Sequence, residues 1–139
     1  MAELTDHDVT ILRGLNFAHF VTLNEDGSAH AAPLWIDVDH HGHVLVNSAV
    51  GRKKDRNIRR DPRVTLSLEG TETSGIGLKE YLVVHGHARI EEGGGPELLQ
   101  RLAHTYLGPD VKFPPMDDPP PGVVVHIAVD RLGGVGPWA

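Results

Sequence analysis

Six short apolar–polar alternations, each cut off within about a dozen residues by a glycine, a proline or an Asn/Asp turn, constrain this chain more than any other feature. They fall at residues 18–23, 28–37, 43–48, 64–69, 81–91 and 123–129. Asn24-Glu25-Asp26-Gly27 between the first two reads as a hairpin turn, with Gly27 suited to positive φ. His40-His41-Gly42 turns the chain again before the third. In that third segment Val44 and Val46 point one way and Leu45 and Asn47 the other. Pro33 cannot donate to a ladder, so the second segment is an edge or carries a bulge. Hairpin links favour an antiparallel sheet, and about six short strands favour closing it into a barrel.

Three helices flank these strands. Thr5 and Asp8 form a weak capping-box pattern, followed at near-helical spacing by Val9, Leu12 and Leu15 with Ile11 beside them, and Gly14 and Asn16 mark the end. Residues 52–60 lack glycine and proline and stop before Asp61-Pro62, because the residue preceding proline avoids the α region. Residues 97–106 carry Leu98, Leu99, Leu102 and Tyr106 on one helical face. A Gly/Thr/Ser loop is expected at 70–77, a Gly-rich turn at 93–95 and a Pro-rich surface crossover at 107–122. With no internal repeat and no boundary, residues 1–139 form one mainly β domain.

Composition narrows the function classes. The absence of cysteine excludes disulfides, thiolate metal sites and a cysteine nucleophile, and suits a cytoplasmic protein. No apolar stretch approaches the roughly 18 residues of a membrane span, and the first residues lack the basic-then-apolar order of a signal peptide. The net charge of −6 is unevenly spread: residues 52–63 hold seven of the thirteen Lys+Arg and only two acids, a local +5 that leaves −11 on the rest. One basic island on an acidic chain suggests a local anion site, whereas a nucleic-acid surface makes a whole face basic.

That island follows a strand end, passes through Gly51 and opens a helix. A helix N-terminus offers unpaired N–H groups and partial positive charge. Arg52 adds a planar fork for two phosphate oxygens, Lys54 adds a compact charge, and Asn47 and Ser48 add neutral donors. A one-residue shift of the helix start turns each side chain by about 100°, which leaves open which of Lys53, Lys54 and Arg56 faces inward. The alternative is a solvated basic helix paired with the acidic remainder. A nucleic-acid patch is a third option, although no aromatic side chain in the segment is available to stack on bases.

The run Gly51-Arg52-Lys53-Lys54-Asp55-Arg56-Asn57-Ile58-Arg59-Arg60-Asp61-Pro62-Arg63-Val64 resembles a Gly-Arg-x-Lys-x-x-Asn-x-x-x-Asp-Pro-Arg-Val segment of the pyridoxamine 5′-phosphate oxidase-like split-barrel superfamily. More narrowly, it is similar to the deazaflavin (coenzyme F420)-dependent reductases of actinobacteria. The opening helix, the Gly27 hairpin, the Ala32-Pro33-Leu34-Trp35 strand and the 81–91 strand around Gly86 lie in the order that resemblance requires. It implies a split β-barrel homodimer with a flavin-type ring in a groove between subunits. Arg52, Lys53, Lys54 and Asn57 would lie near the phosphate, Asn47 and Ser48 would line the site, and Pro33, Leu34 and Trp35 would run beside the ring. The carboxy-terminal Gly136-Pro137-Trp138 would approach it, from the same or from the other subunit. The implied activity is hydride transfer from reduced F420 to a small organic acceptor, with the acidic tail of F420 on Lys53, Arg56, Arg59 and Arg60. The alternatives are an FMN-dependent oxidoreductase of the same fold and a flavin-, deazaflavin- or haem-binding protein without turnover.

Other signals are weaker. Ten histidines are many for this length, with His40, His41 and His43 around one turn and His85 and His87 on one strand face. No acidic partner stands at an informative spacing, so no metal site is expected. His30 lies on the second strand with its face undetermined. Trp35 fits a core or dimer interface as well as a cofactor wall. Neither a Gly-x-Ser-x-Gly nor a Walker-type loop is present.

Overall fold

Thr5 caps the first helix, α1 (Asp6–Leu12), as its spacing predicts: Asp8 N–H donates to Thr5 Oγ1 at 3.2 Å and Thr5 N–H donates to Asp8 Oδ2 at 2.8 Å. The computed structural model describes residues 3–14, 17–73, 75–113, 115 and 118–138. Leu15 and Asn16, expected at the end of α1, lie outside the described residues. The chain continues as β1 (Ala18–Leu23), β2 (Ala29–Leu34), β3 (Asp37–Val38), β4 (Val44–Ala49), α2 (Lys53–Arg60), β5 (Arg63–Thr73), β6 (Lys79–Gly94), α3 (Gly95–Leu107) and β7 (Gly122–Val135). No described helix is long and apolar enough to cross a membrane.

The strands form one antiparallel sheet in the order β2-β1-β5-β6-β7-β4-β3. Its two edges, β2 and β3, are separated in sequence only by Trp35 and Ile36. Across a flat sheet, six strand spacings would hold the edges about 29 Å apart. Three residue steps of extended chain reach only about 11 Å. The sheet therefore curls until its edges approach, giving the expected split β-barrel, and it is not closed: β2 and β3 are not paired among the described residues.

Alternation fills the inside. Phe20 from β1, Leu66 from β5, Val84 from β6, Val125 and Ile127 from β7 and Val46 from β4 are fully or almost fully buried in one cluster, joined by Leu12 of α1 and Ile58 of α2. Leu45 faces the other way, as expected, and packs with Val124 against Leu98 and Leu102 of α3, with Trp35 and Tyr106 at the margin.

Several boundaries differ from the sequence reading. Seven strands replace six, because the long second segment breaks at the Trp35-Ile36 strap and its end pairs with β4 as the two-residue β3. β5 runs on to Thr73 into the expected loop, and β6 runs from Lys79 to Gly94 through the expected Gly-rich turn. β7 continues to Val135, because its ladder with β6 extends to Tyr81↔Val135. Pairing of long neighbours overrides the local turn propensity of these glycines.

Gly86 sits where the β6–β7 register slips: His85 pairs with Arg131 and Gly86 with Val129, leaving Asp130 as a bulge. A Cβ on Gly86 would run into the Ala128 carbonyl oxygen and the Ile127 side chain. Backbone cannot yield as a flexible side chain does, so Gly86→Ala should destabilise the fold by about 3 kcal/mol, at the upper end of overpacking costs. Urea unfolding of the two proteins reads this directly, and equal midpoints would show that the barrel wall yields at this point.

Candidate functional site

Where β4 ends, Ala49, Val50, Gly51 and Arg52 form a turn in which Arg52 N–H donates to the Ala49 carbonyl at 3.2 Å. Gly51 takes φ +80° at its third position, which a type II turn requires. Arg52 is the N-cap of α2, has extended backbone and makes no side-chain cap hydrogen bond. The first turn of α2 thus carries no side-chain cap, and Arg52, Lys53 and Lys54 at this end border an open space. Asp55, the acid of the first turn, is turned elsewhere: it accepts from Gly51 N–H at 2.8 Å and from Arg59 Nε at 2.7 Å.

That space is a cleft of about 570 Å³, within the size range of small-molecule sites. Its cationic end is Arg52, Lys53 and Lys54, with Asn47, Ser48 and Ala49 of β4 beside them. Its other wall is His30, Ala32, Pro33 and Leu34 of β2 with Trp35, and Phe17, Leu99 and Phe113 complete it. Trp35 is fixed from behind by a stack on Tyr106 (ring centroids 5.4 Å apart) and by the edge of Phe113 (5.8 Å). Tyr106 also grips the strap, since its hydroxyl lies 3.3 Å from both the N–H and the carbonyl oxygen of Ile36. Ser48 is buried and its hydroxyl donates to the Ala49 carbonyl at 3.3 Å, so it is less available than the sequence suggests.

Eight of the ten residues expected at the site, Pro33, Leu34, Trp35, Asn47, Ser48, Arg52, Lys53 and Lys54, therefore converge on one cleft. Two do not. Asn57 is buried between α2 and the β1–β2 hairpin, where its amide donates to Thr22 Oγ1 and Asn24 Oδ1, each at 3.0 Å, and its oxygen accepts from Arg60. Its place in the segment reflects the anchoring of α2 to the β1–β2 hairpin. Trp138 follows β7 away from this chain's cleft to the far end of β6, where its indole donates to the Tyr81 carbonyl at 3.2 Å and stacks on His7.

The sequence reading missed Phe17 and Phe113 and left His30 open. His30 falls on the half-buried face of β2 with Ala32 and Leu34, and its Nδ1 is buried with no hydrogen-bond partner among the described residues. Phe113 comes from the aperiodic crossover. Gln100 of α3 holds that crossover through Val111 (2.7 Å) and the Phe113 N–H (2.9 Å). The basic island also proves divided. Arg59 is paired with Asp55 and Glu92, and Arg63 with Asp61, whose carboxyl its guanidinium holds down to about 2. Lys53, Arg56 and Arg60 border a neighbouring groove of about 450 Å³.

Burial, and secondarily the charge of Arg52, push the Lys54 ammonium below its ordinary pKa. The folded protein therefore disfavours the charged form, and its stability should rise as pH climbs from that lowered pKa toward the unfolded value. Burial works against the Lys54 ammonium, and an anion in the cleft offsets that penalty. Replacing it by an apolar side chain removes the conflict: Lys54→Met should raise the melting temperature of the ligand-free protein while weakening its affinity for inorganic phosphate. Thermal melts with and without phosphate check both halves, and a lower melting temperature in the free variant would show that Lys54 is structural.

A model of the pyridoxamine 5′-phosphate oxidase family matches residues 4–136. No protein of curated function matches the chain. Among solved structures, an F420 reductase superposes with a TM-score of 0.75 at 21% identity, covering 94% of this chain and 98% of its own. A candidate pyridoxamine 5′-phosphate oxidase from Listeria innocua superposes at 0.67 and 21% identity, covering 94% and 96%. A haem-binding protein from Mycobacterium smegmatis superposes at 0.66 and 17% identity, covering all of this chain and 57% of its own.

Proposed function

Since the chain belongs to the pyridoxamine 5′-phosphate oxidase family, whose fold serves flavin-type cofactors, we propose that it is an F420-dependent oxidoreductase that reduces a small organic acceptor. The observation that carries this reading is the polarity of the cleft. A cationic end at a helix N-terminus runs into a wall of Leu34, Trp35 and Phe113. That donor set suits a planar heterocycle bearing a phosphate. Arg52 and Lys54 hold the phosphate, Asn47 offers its amide, and Trp35, Leu34 and Pro33 flank the ring. When bound, the reduced deazaflavin supplies the hydride, and the protein's part is to orient the ring and exclude water.

Two features favour F420 over FMN. The first is the likeness to an F420 reductase. The second is the neighbouring groove, which shares Lys53 with the cleft and carries Arg56 and Arg60 against two acids, Glu25 and Asp26, a net positive lining for an acidic tail. Arg59, paired with Asp55 and Glu92, drops out of that role. A second copy of the chain completes the site on this reading, because a barrel this small has little room for a flavin-sized ring inside, whereas a cleft between two subunits provides concave walls. A cytoplasmic location fits the cysteine-free composition.

The test is a parallel titration of the purified protein with F420, FMN and haem, repeated on Arg52→Ala and Asn57→Ala. F420 should bind most tightly. Arg52→Ala should weaken it about 10- to 100-fold, the loss expected for a charge-assisted hydrogen bond. Asn57→Ala should lower stability by about 2 kcal/mol, because it strips partners from Thr22 and Asn24, and leave affinity within about threefold. Sedimentation of the complex should give twice the 15.1 kDa chain mass. Preference for FMN would move the protein to the flavin branch. Preference for haem without turnover would make it a carrier, and a monomer with full affinity would overturn the shared site.

A further inference from the structure

The His-rich turn and one half-buried histidine of β7 are left without a role by the cleft. On the β3–β4 hairpin, Asp39 stands opposite His43, its N–H donating to the His43 carbonyl at 3.0 Å. Across the β4–β7 ladder, His126 pairs with Leu45, which places it diagonal to His43 on the same outer face. The register thus assembles what spacing along the chain conceals. One carboxylate oxygen of Asp39 and one ring nitrogen each of His43 and His126 lie within 4.8 Å of one another.

The chemistry of each group suits a cation. Asp39 Oδ1 is fixed by the N–H groups of His41 and His43, both at 2.9 Å, which pins the carboxylate and leaves Oδ2 toward His43 Nδ1 at 3.9 Å. His126 has only 15% of its side chain exposed, and neither ring nitrogen has a hydrogen-bond partner among the described residues. The nearest acid, Glu91, stands 3.5 Å from its Nε2 and is half exposed. Ring nitrogens shut off from water without a hydrogen bond carry a desolvation cost that a ligand would cancel.

We propose that Asp39, His43 and His126 form a binding site for one divalent ion of the zinc class. Two imidazoles with one carboxylate favour a borderline ion over magnesium or calcium, which prefer all-oxygen shells. Water or Glu91 fills the remaining position. The site is structural. Along β4, His43 and Asn47 share a face four residues apart, so the ion sits about 13 Å from the cleft end of that face. Its effect is to tie the β3–β4 hairpin, and with it the strap that carries Trp35, to the interior strand β7. The sequence reading saw no acidic partner for these histidines. Asp39 is that partner, and only the hairpin register brings it in.

Isothermal titration of the full-length protein with Zn²⁺, after chelator treatment and buffer exchange, tests the site, with a thermal melt of each sample. One equivalent should bind and raise the melting temperature. His43→Gln, at the more accessible side, and Asp39→Asn should each weaken binding at least tenfold, and His126→Gln should abolish the thermal shift. His40→Gln, an exposed neighbour in the same turn, should leave both readouts unchanged. No uptake by the parent protein overturns the proposal. So does uptake that survives in a folded His126→Gln or is lost in His40→Gln, since the turn alone would then be the ligand. If the His126→Gln protein does not fold, His43→Gln decides the matter, and unchanged affinity in that variant would be equally fatal.

Discussion

Two residues, Trp35 and Ile36, join the free edges of a seven-stranded sheet, and most of the architecture follows from how short that connection is. A flat or gently twisted sheet cannot satisfy it. Curling creates an inside, which the alternating positions of β1, β4, β5, β6 and β7 fill, and an outside on which Leu45 and Val124 need cover. α3 supplies the cover, and its Tyr106 holds the strap by hydrogen bonds to Ile36 and a stack on Trp35. The wall of the cleft is therefore the same piece of chain that holds the barrel together.

Local signals carried much of this fold. The Thr5–Asp8 capping box, the first hairpin, the stop at Asp61-Pro62 and the opposed faces of Val46 and Leu45 were all legible because each depends on neighbours a few residues away. What could not be read was set by distant partners. β5, β6 and β7 outrun their own turn residues because they pair with one another, and β3 exists only because β4 is there to receive it. Bulges such as that at Asp130 leave no periodic mark in the chain.

The site divides in the same way. The basic island announced an anion end, and the strand–turn–helix order put Asn47, Ser48, Arg52, Lys53 and Lys54 together. Counting charge did not say which cations were already taken. Arg59 and Arg63 are neutralised by local acids, whereas Arg52, Lys53 and Lys54 line open space. Asn57 shares the motif with them for a different reason, which only its burial against Thr22 and Asn24 discloses. Phe113 was invisible because the crossover that carries it has no period, and Gln100, one helical residue, decides where it lies.

Asn57 has a wider consequence. Its amide joins α2 to Thr22 and Asn24, and Arg60 adds a bond from the same helix to the Leu23 carbonyl at 2.6 Å. The cationic helix end is thereby fastened to the strand β1, on which β2 and the ring-side wall are built. The two halves of the cleft are thus joined through β1 by a short run of hydrogen bonds. A ligand that spans both finds them already at their working separation, so little conformational entropy remains to be lost on association. Affinity then depends on contacts made by the ligand itself, and such a rigid receptor discriminates by shape and length, since it cannot adjust its span to a shorter or longer molecule.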